Sequence, residues 1–172
     1  DAVQIDFMND SSLSRYVEVG GVSHDGNVVF GRGSADVPAA APDDPTHTDT
    51  YEHAFRWTEN GGTQSLGSLE AGNRGNSSAN AISSDGSVIV GNSSVGGFGS
   101  VHAFVWRDGV MTDLGSLYDT ARTAVAGLPI ITGYSNARDV SADGKVIVGE
   151  SDQTAVSVGP TGFGYSARRV TA

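Results

Sequence analysis

One block of sequence recurs along the chain and constrains the fold more than any other feature. The block reads Ser-x-Asp-Gly-x-Val-x-x-Gly, and its aspartates are Asp25, Asp85 and Asp143, spaced 60 and 58 residues apart. A second block, His-Ala-Phe-x-Trp followed by Leu-Gly-Ser-Leu, begins at His53 and again at His102. Two blocks repeated in a fixed order indicate an array of similar units, each packing on its neighbours.

Each unit resolves into four short strands. β-Branched stretches flank the Asp-Gly pair, and Asp-Gly supplies the positive φ that a tight hairpin needs. His-Ala-Phe-x-Trp forms a third strand, and a turn at Asn60-Gly61-Gly62 or Asp108-Gly109 leads to the fourth. Four antiparallel strands repeated in tandem describe a propeller blade. The sequence therefore predicts an all-β, propeller-like fold with units at 12–69, 70–117 and 118–172, and residues 1–11 closing the last.

The alternation of the third strand predicts how the units pack. Period 2 places His53, Phe55 and Trp57 on one side of the strand and Ala54 and Arg56 on the other. We expect the side with the large residues to pack against the next unit and the side with Ala54 to pack against the previous unit.

Composition excludes several classes of function. The formal charge is −10 and the ten basic residues are scattered, so neither a nucleic acid nor an anionic membrane is expected as a partner. The chain has no cysteine, which removes disulfides, thiolate metal sites and cysteine nucleophiles. It has no apolar run near the roughly 20 residues of a membrane-spanning helix.

The two blocks together resemble the HAF-type extracellular repeat of bacteria. The resemblance covers about residues 20–150. It implies an exported, extracellular or cell-surface bacterial protein, such as an autotransporter passenger, whose signal peptide is not in this sequence. It carries no catalytic motif.

The third copy departs from this pattern. Only Gly162–Tyr165 falls near the expected place of a third His-Ala-Phe block, and three blades do not close well alone. In one interpretation Ala2–Phe7 supplies the missing strand and a homodimer completes a six-bladed ring. In the other, the chain is a piece of a longer array.

Two connections are longer than their counterparts. From Asp-Gly to His-Ala-Phe takes 28 residues in the first unit and 17 in the second, with the excess in 35–50. From Leu-Gly-Ser-Leu to the next Asp-Gly takes 16 residues and then 26, with the excess in 119–133. Up-and-down topology places both on one face, and insertions on one face commonly mark the binding side.

The first long connection is acidic and contains the candidate metal ligands. Carboxylate oxygens suit Ca²⁺, and His47 would favour a transition metal. A solvated acidic loop is the competing interpretation. The candidate calcium ligands are Asp43, Asp44, Asp49 and Glu52.

No catalytic residue is assigned. His53 and His102 occupy the same repeat position, which favours a structural, hydrogen-bonding role, and the Asp-Gly aspartates are turn formers by the same argument. The chain has no Gly-x-Ser-x-Gly elbow.

Three functions remain open from the sequence. The first is a binding or adhesion module that takes a glycan or surface protein on the face bearing 35–50 and 119–133. The second is a structural protein that self-associates through edge strands into a ring or filament. The third is an extracellular glycan hydrolase, which the abundant carboxylates allow.

Overall fold

The computed structural model describes residues 16–38, 48–96, 100–116 and 133–152, and the backbone of the short strands at 157–158 and 164–165. In this part of the chain the regular structure is antiparallel β-strand, apart from one short 3-10 helix at Ala71–Asn73. The prediction of an all-β, antiparallel chain is confirmed.

The strands form consecutive sheets, each with its strands in chain order. Among the described residues no sheet closes on itself. Sheet A contains β1 (Val17–Val22), β2 (Val29–Pro38), β3 (Thr48–Thr58) and β4 (Gly62–Gly67). Sheet B contains β5 (Ser77–Ile82), β6 (Val88–Val95), β7 (Ser100–Arg107) and β8 (Val110–Asp113). Sheet C contains β9 (Tyr134–Val140) and β10 (Ile147–Asp152), and sheet D pairs β11 (Ser157–Val158) with β12 (Gly164–Tyr165).

The Ser-x-Asp-Gly turn is built in the same way in sheets A, B and C. In sheet B the hydroxyl of Ser83 donates to Asp85 at 2.7 Å, and the Ser87 N–H donates to the same carboxylate at 3.0 Å. The Val88 N–H donates to the Ser83 hydroxyl, and Gly86 takes a φ of 71°. Asp25 and Asp143 make the equivalent bonds, so their predicted role as turn formers is confirmed.

The sheets pack face to face, and each has a face toward the previous unit and a face toward the next. In sheet B the preceding face carries Ile89, Phe104 and Trp106, which pack on Ala54 of sheet A. The following face carries Ala81, Val88, Val90 and Ala103, which pack on Ala137 and Val140 of sheet C. Because both faces are covered, β6 reads as a continuous apolar run rather than an alternating one.

The direction of this packing differs from our expectation. The large side of β7 faces the previous sheet and Ala103 faces the next one, so the predicted direction was wrong. Period 2 separates the two sides of a strand, but it does not say which side meets the earlier unit.

A buried serine joins each sheet to the one before it. The Ala54 N–H donates to the Ser77 hydroxyl at 2.8 Å, and that hydroxyl donates to the Gly67 carbonyl. Ser135 makes the same pair of bonds to Ala103 and Gly115. In sheet A this link lies beside the irregularity in the β3–β4 pairing at Ala54, and in both places it gives backbone groups a hydrogen-bond partner.

The third unit is described in part. Its Asp-Gly hairpin forms sheet C, and Gly164–Tyr165 of the degenerate third block forms β12. The strand predicted at Ala2–Phe7 lies outside the described residues.

Candidate functional site

The strand order gives each sheet two distinct ends. The β1–β2 and β3–β4 turns lie at one end, and the β2–β3 loop and the β4–β5 connection lie at the other. We call the second the connection end. The strands that flank both long segments end there: residues 39–47 separate β2 from β3, and residues 117–132 lie between β8 and β9 in the chain.

The β2–β3 hairpin projects beyond its counterpart in sheet B. The pair Ala35↔Tyr51 corresponds to Val95↔Ser100, where the β6–β7 ladder ends. Sheet A continues for three further pairs, from Asp36↔Thr50 to Pro38↔Thr48. Part of the predicted 35–50 loop is therefore strand, and the first insertion is a β-arm.

The β4–β5 connection braces the base of this arm. The Arg74 guanidinium donates to the Pro38 carbonyl from Nη2 at 3.0 Å and from Nε at 3.3 Å. The Glu52 N–H donates to the Asn76 side chain at 3.0 Å. These contacts hold the arm against sheet B's first strand, because Asn76 immediately precedes β5.

An open groove of about 660 Å³ lies between the arm and β4. The arm supplies Asp36 to Pro38 as one wall, and β4 with its following turn supplies the other. The lining contains five polar residues, which are Asp36, Thr63, Gln64, Ser65 and Asn73. A lining of carboxylate, hydroxyl and amide groups suits a hydroxyl-rich ligand.

His53 lies in the groove lining and is buried with both ring nitrogens bonded. Its Nε2 donates to the Asn73 carbonyl at 2.9 Å, so its Nδ1 accepts from the Ser65 hydroxyl, also at 2.9 Å. Burial lowers the pKa of His53, against the opposing effect of the Asn73 carbonyl. His53 is therefore a neutral hydrogen-bonding member of the wall, and its predicted structural role is confirmed.

His102 occupies the same position in sheet B with a different partner. Its Nδ1 lies 3.0 Å from both oxygens of Asp113, the counterpart of the Ser65 interaction. The ring is buried. The two histidines are buried at the same position but bond different residues of the fourth strand, Ser65 and Asp113. This pattern fits a structural role in which the identity of the partner can change.

The candidate calcium ligands are only partly described. Asp43 and Asp44 lie outside the described residues. Asp49 and Glu52 are three residues apart in β3, so they point to opposite faces of sheet A, and Glu52 lies 3.4 Å from the Arg32 guanidinium. Within the described ranges no group of three or more candidate ligands occurs. A calcium site at this loop stays a prediction.

The second long segment lies almost entirely outside the described residues. Of residues 119–133 only Gly133 is described, and it is buried. Its placement on the binding face stays a prediction.

Sequence reasoning missed the groove and the serine links between sheets. The polar residues of the groove sit on a fourth strand that looked like an ordinary repeat strand. The available signal was that the β2–β3 connection is longer than the β6–β7 connection. The sequence showed this difference as an insertion, but it did not show that the insertion extends both strands and forms one wall of a groove.

The described residues define a class of protein: an all-β repeat protein made of stacked antiparallel sheets. Comparisons with protein-family models, with curated proteins and with solved structures gave no match. Among the described residues no helix has the length and apolarity to cross a membrane.

Proposed function

We propose that this chain is a non-enzymatic binding module of an exported bacterial repeat protein, with a propeller-like stack of blades as its scaffold. The groove beside the β2–β3 arm is the binding site, and its ligand is a glycan. The exported location rests on the resemblance of the two repeated blocks to the HAF-type extracellular repeat. Both His-Ala-Phe-x-Trp copies occupy the third strand of their sheets.

The observation that carries the proposal is the difference between two otherwise equivalent sheets. Sheets A and B share their strand order and their buried histidine. Sheet A alone among these two extends its central hairpin by three residue pairs. The arm is itself packed, since Val37 is buried, and its position beside β4 creates a groove wall that gives a surface for recognition.

The groove chemistry favours a neutral or cationic sugar over an acidic ligand. Asp36 lies in the lining, its side chain accepts from Thr50 at 2.9 Å, and the lining supplies no Lys or Arg. Hydroxyl groups of a sugar both donate and accept, which matches a wall of amides, hydroxyls and one carboxylate.

A glycan array tests this proposal with two variants of the full chain. In the first, residues 36–50 are replaced by the sequence of residues 96–99, the short connection that sheet B uses at the same place. In the second, Asp36→Ala and Gln64→Ala replace two polar residues of the groove lining. Thr112→Ala with Lys145→Ala, in sheet B and in the hairpin turn of sheet C and outside the groove lining, is the matched control.

The intact chain and the control should bind at least one glycan, and both groove variants should lose about tenfold or more in affinity. Equal binding by the groove variants would contradict the groove as the site, and an array with no bound glycan would contradict the ligand class. The bound glycan should also be recovered intact. Its cleavage would favour the hydrolase alternative.

A further inference from the structure

Equivalent residues of the three hairpins differ sharply in exposure on their following faces. Val28 and Val88 are 4% and 3% exposed, but their counterpart Val146 is 60% exposed. Phe30 and Val90 are also buried, whereas their counterpart Val148 is 55% exposed. Sheets B and C cover the first two copies, and no described residue covers the third.

At the other end of the stack, the preceding face of the first sheet is exposed where the preceding faces of the later sheets are covered. Ala79 and Ile82 of β5 pack against sheet A, and Ala137 and Val140 of β9 pack against sheet B. The counterparts in β1 are Val19 and Val22, which are 54% and 55% exposed. The stack therefore presents two apolar faces, a tail face at Val146 and Val148 and a head face at Val19 and Val22.

The two faces have complementary shapes. Within the chain, Val28 packs so closely on Gly86 that a side chain at that glycine would overlap it, and Val88 packs on Gly144 in the same way. Val146 is the next valine in this series, and Gly26 is the remaining turn glycine. The space around Gly26 is open, with no heavy atom within 4 Å of where its Cβ would lie.

Their charges are complementary as well. Between sheets B and C, the Asn80 side chain donates to the Asn136 side chain at 2.7 Å. The repeat spacing puts Arg138 at the position of Asn80 in the third unit. It puts Glu18 at the position of Asn136 in the first unit. Glu18 pairs with Arg32 and Arg138 pairs with Glu150 within the chain, and both residues are still more than half exposed. A neutral amide pair inside the chain is therefore replaced by an anion at one end and a cation at the other.

We infer that a second copy of this chain packs head to tail on the first, with the tail face of one copy on the head face of the other. Val146 then contacts Gly26 of the second copy, and Arg138 pairs with Glu18. The contact continues the packing already seen twice within the chain, and it is heterologous, so the copies form a ring or an open series.

Two features make this contact weaker than those within the chain. Val17 stands where Ser77 and Ser135 make their bonds to the previous sheet, so the serine link is absent. Each copy also carries a formal charge of −10, and the resulting repulsion is screened by salt. We expect dissociation in the micromolar range, about 10–100 μM, and tighter association as salt rises.

Sedimentation velocity of the full chain and two double variants tests the inference. The tail variant carries Val146→Asp and Val148→Asp, and the head variant carries Val19→Asp and Val22→Asp. Threonine versions of both keep the β-branched shape if an aspartate pair prevents folding. Val110→Asp is the matched control, because Val110 is equally exposed at 60% but lies on β8 outside both faces.

The intact chain and the control should associate with increasing concentration, and each double variant alone should stay monomeric. An equimolar mixture of the tail and head variants should form a complex, because each still offers one intact face. A charge exchange gives a second test: Glu18→Arg and Arg138→Glu should each weaken association, and the two together should restore it.

The inference is overturned if the intact chain remains monomeric up to about 0.5 mM, well above the range expected for a specific contact. It is also overturned if the two double variants fail to combine. Failure to combine, with one of the two variants still associating alone, would indicate that a single face pairs with itself.

Discussion

The carbonyl oxygen of Ser78 occupies the space that a side chain on Gly91 would need. A bulge in β5 between Ala79 and Ala81 brings the first strand close to the second at this point. The same approach occurs between Glu18 and Gly31, and between Asn136 and Gly149. The last glycine of the repeated block is therefore required by a close backbone approach.

Gly91→Ala should destabilise the protein by roughly 2 kcal/mol or more, since the added methyl displaces a buried ladder between β5 and β6. Urea unfolding measures the change. Thr112→Ala on exposed β8 should stay within about 0.5 kcal/mol of the parent, and a comparably small effect of Gly91→Ala would contradict the close approach.

Ser77→Ala should destabilise the protein by about 1–3 kcal/mol, because the buried Ala54 N–H loses an acceptor and the Gly67 carbonyl loses a donor. The matched control is Ser78→Ala, one residue along β5, whose hydroxyl makes no hydrogen bond among the described residues. The free energies of unfolding of the two variants give the comparison. Equal values would show that Ser77 does not join the sheets.

Acid should weaken the fold through the Ser-x-Asp-Gly turns. The Ser87 N–H and then the Ser83 hydroxyl stabilise the Asp85 carboxylate and lower its pKa from 3.8 to about 2, and the pKa values of Asp25 and Asp143 are lowered too. A depressed carboxyl pKa gives stability that is present above pH 3.8 and lost as pH falls toward 2. The urea midpoint should therefore fall in this window, and less so in Asp85→Asn. The same slope in both proteins would count against the turn.

A second pH effect should appear at higher pH through His53. Burial lowers its pKa from 6.5, so the unfolded chain takes up a proton before the folded one does, and stability falls as pH drops below 6.5. NMR titration of the ring should give a midpoint below 6.5, and His53→Gln should flatten the urea midpoint between pH 7.5 and 5. A ring midpoint at or above 6.5 would contradict the buried, neutral state.

The repeats gave the strand count and the turns from sequence, because hairpin chemistry is local. The Asp-Gly pairs at 85–86 and 108–109 predict their turns directly, because glycine readily takes the positive φ that both turns contain. The direction of stacking could not be predicted in this way. The alternation of Phe104 and Ala103 shows that they lie on opposite faces, and it is the same whether Phe104 faces the previous sheet or the next one. The groove depends on how far β2 and β3 stay paired beyond Ala35, which is a property of two strands together.

Consecutive units stack so that the valine after one Asp-Gly turn packs on the glycine of the next turn. NMR cross-peaks between valine methyl protons and glycine α-protons test this packing directly in the intact chain. We predict cross-peaks from Val28 to Gly86 and from Val88 to Gly144, because both pairs are in close contact. Absence of both, with the Val88 methyls showing no contact to any residue of sheet C, would contradict the stack.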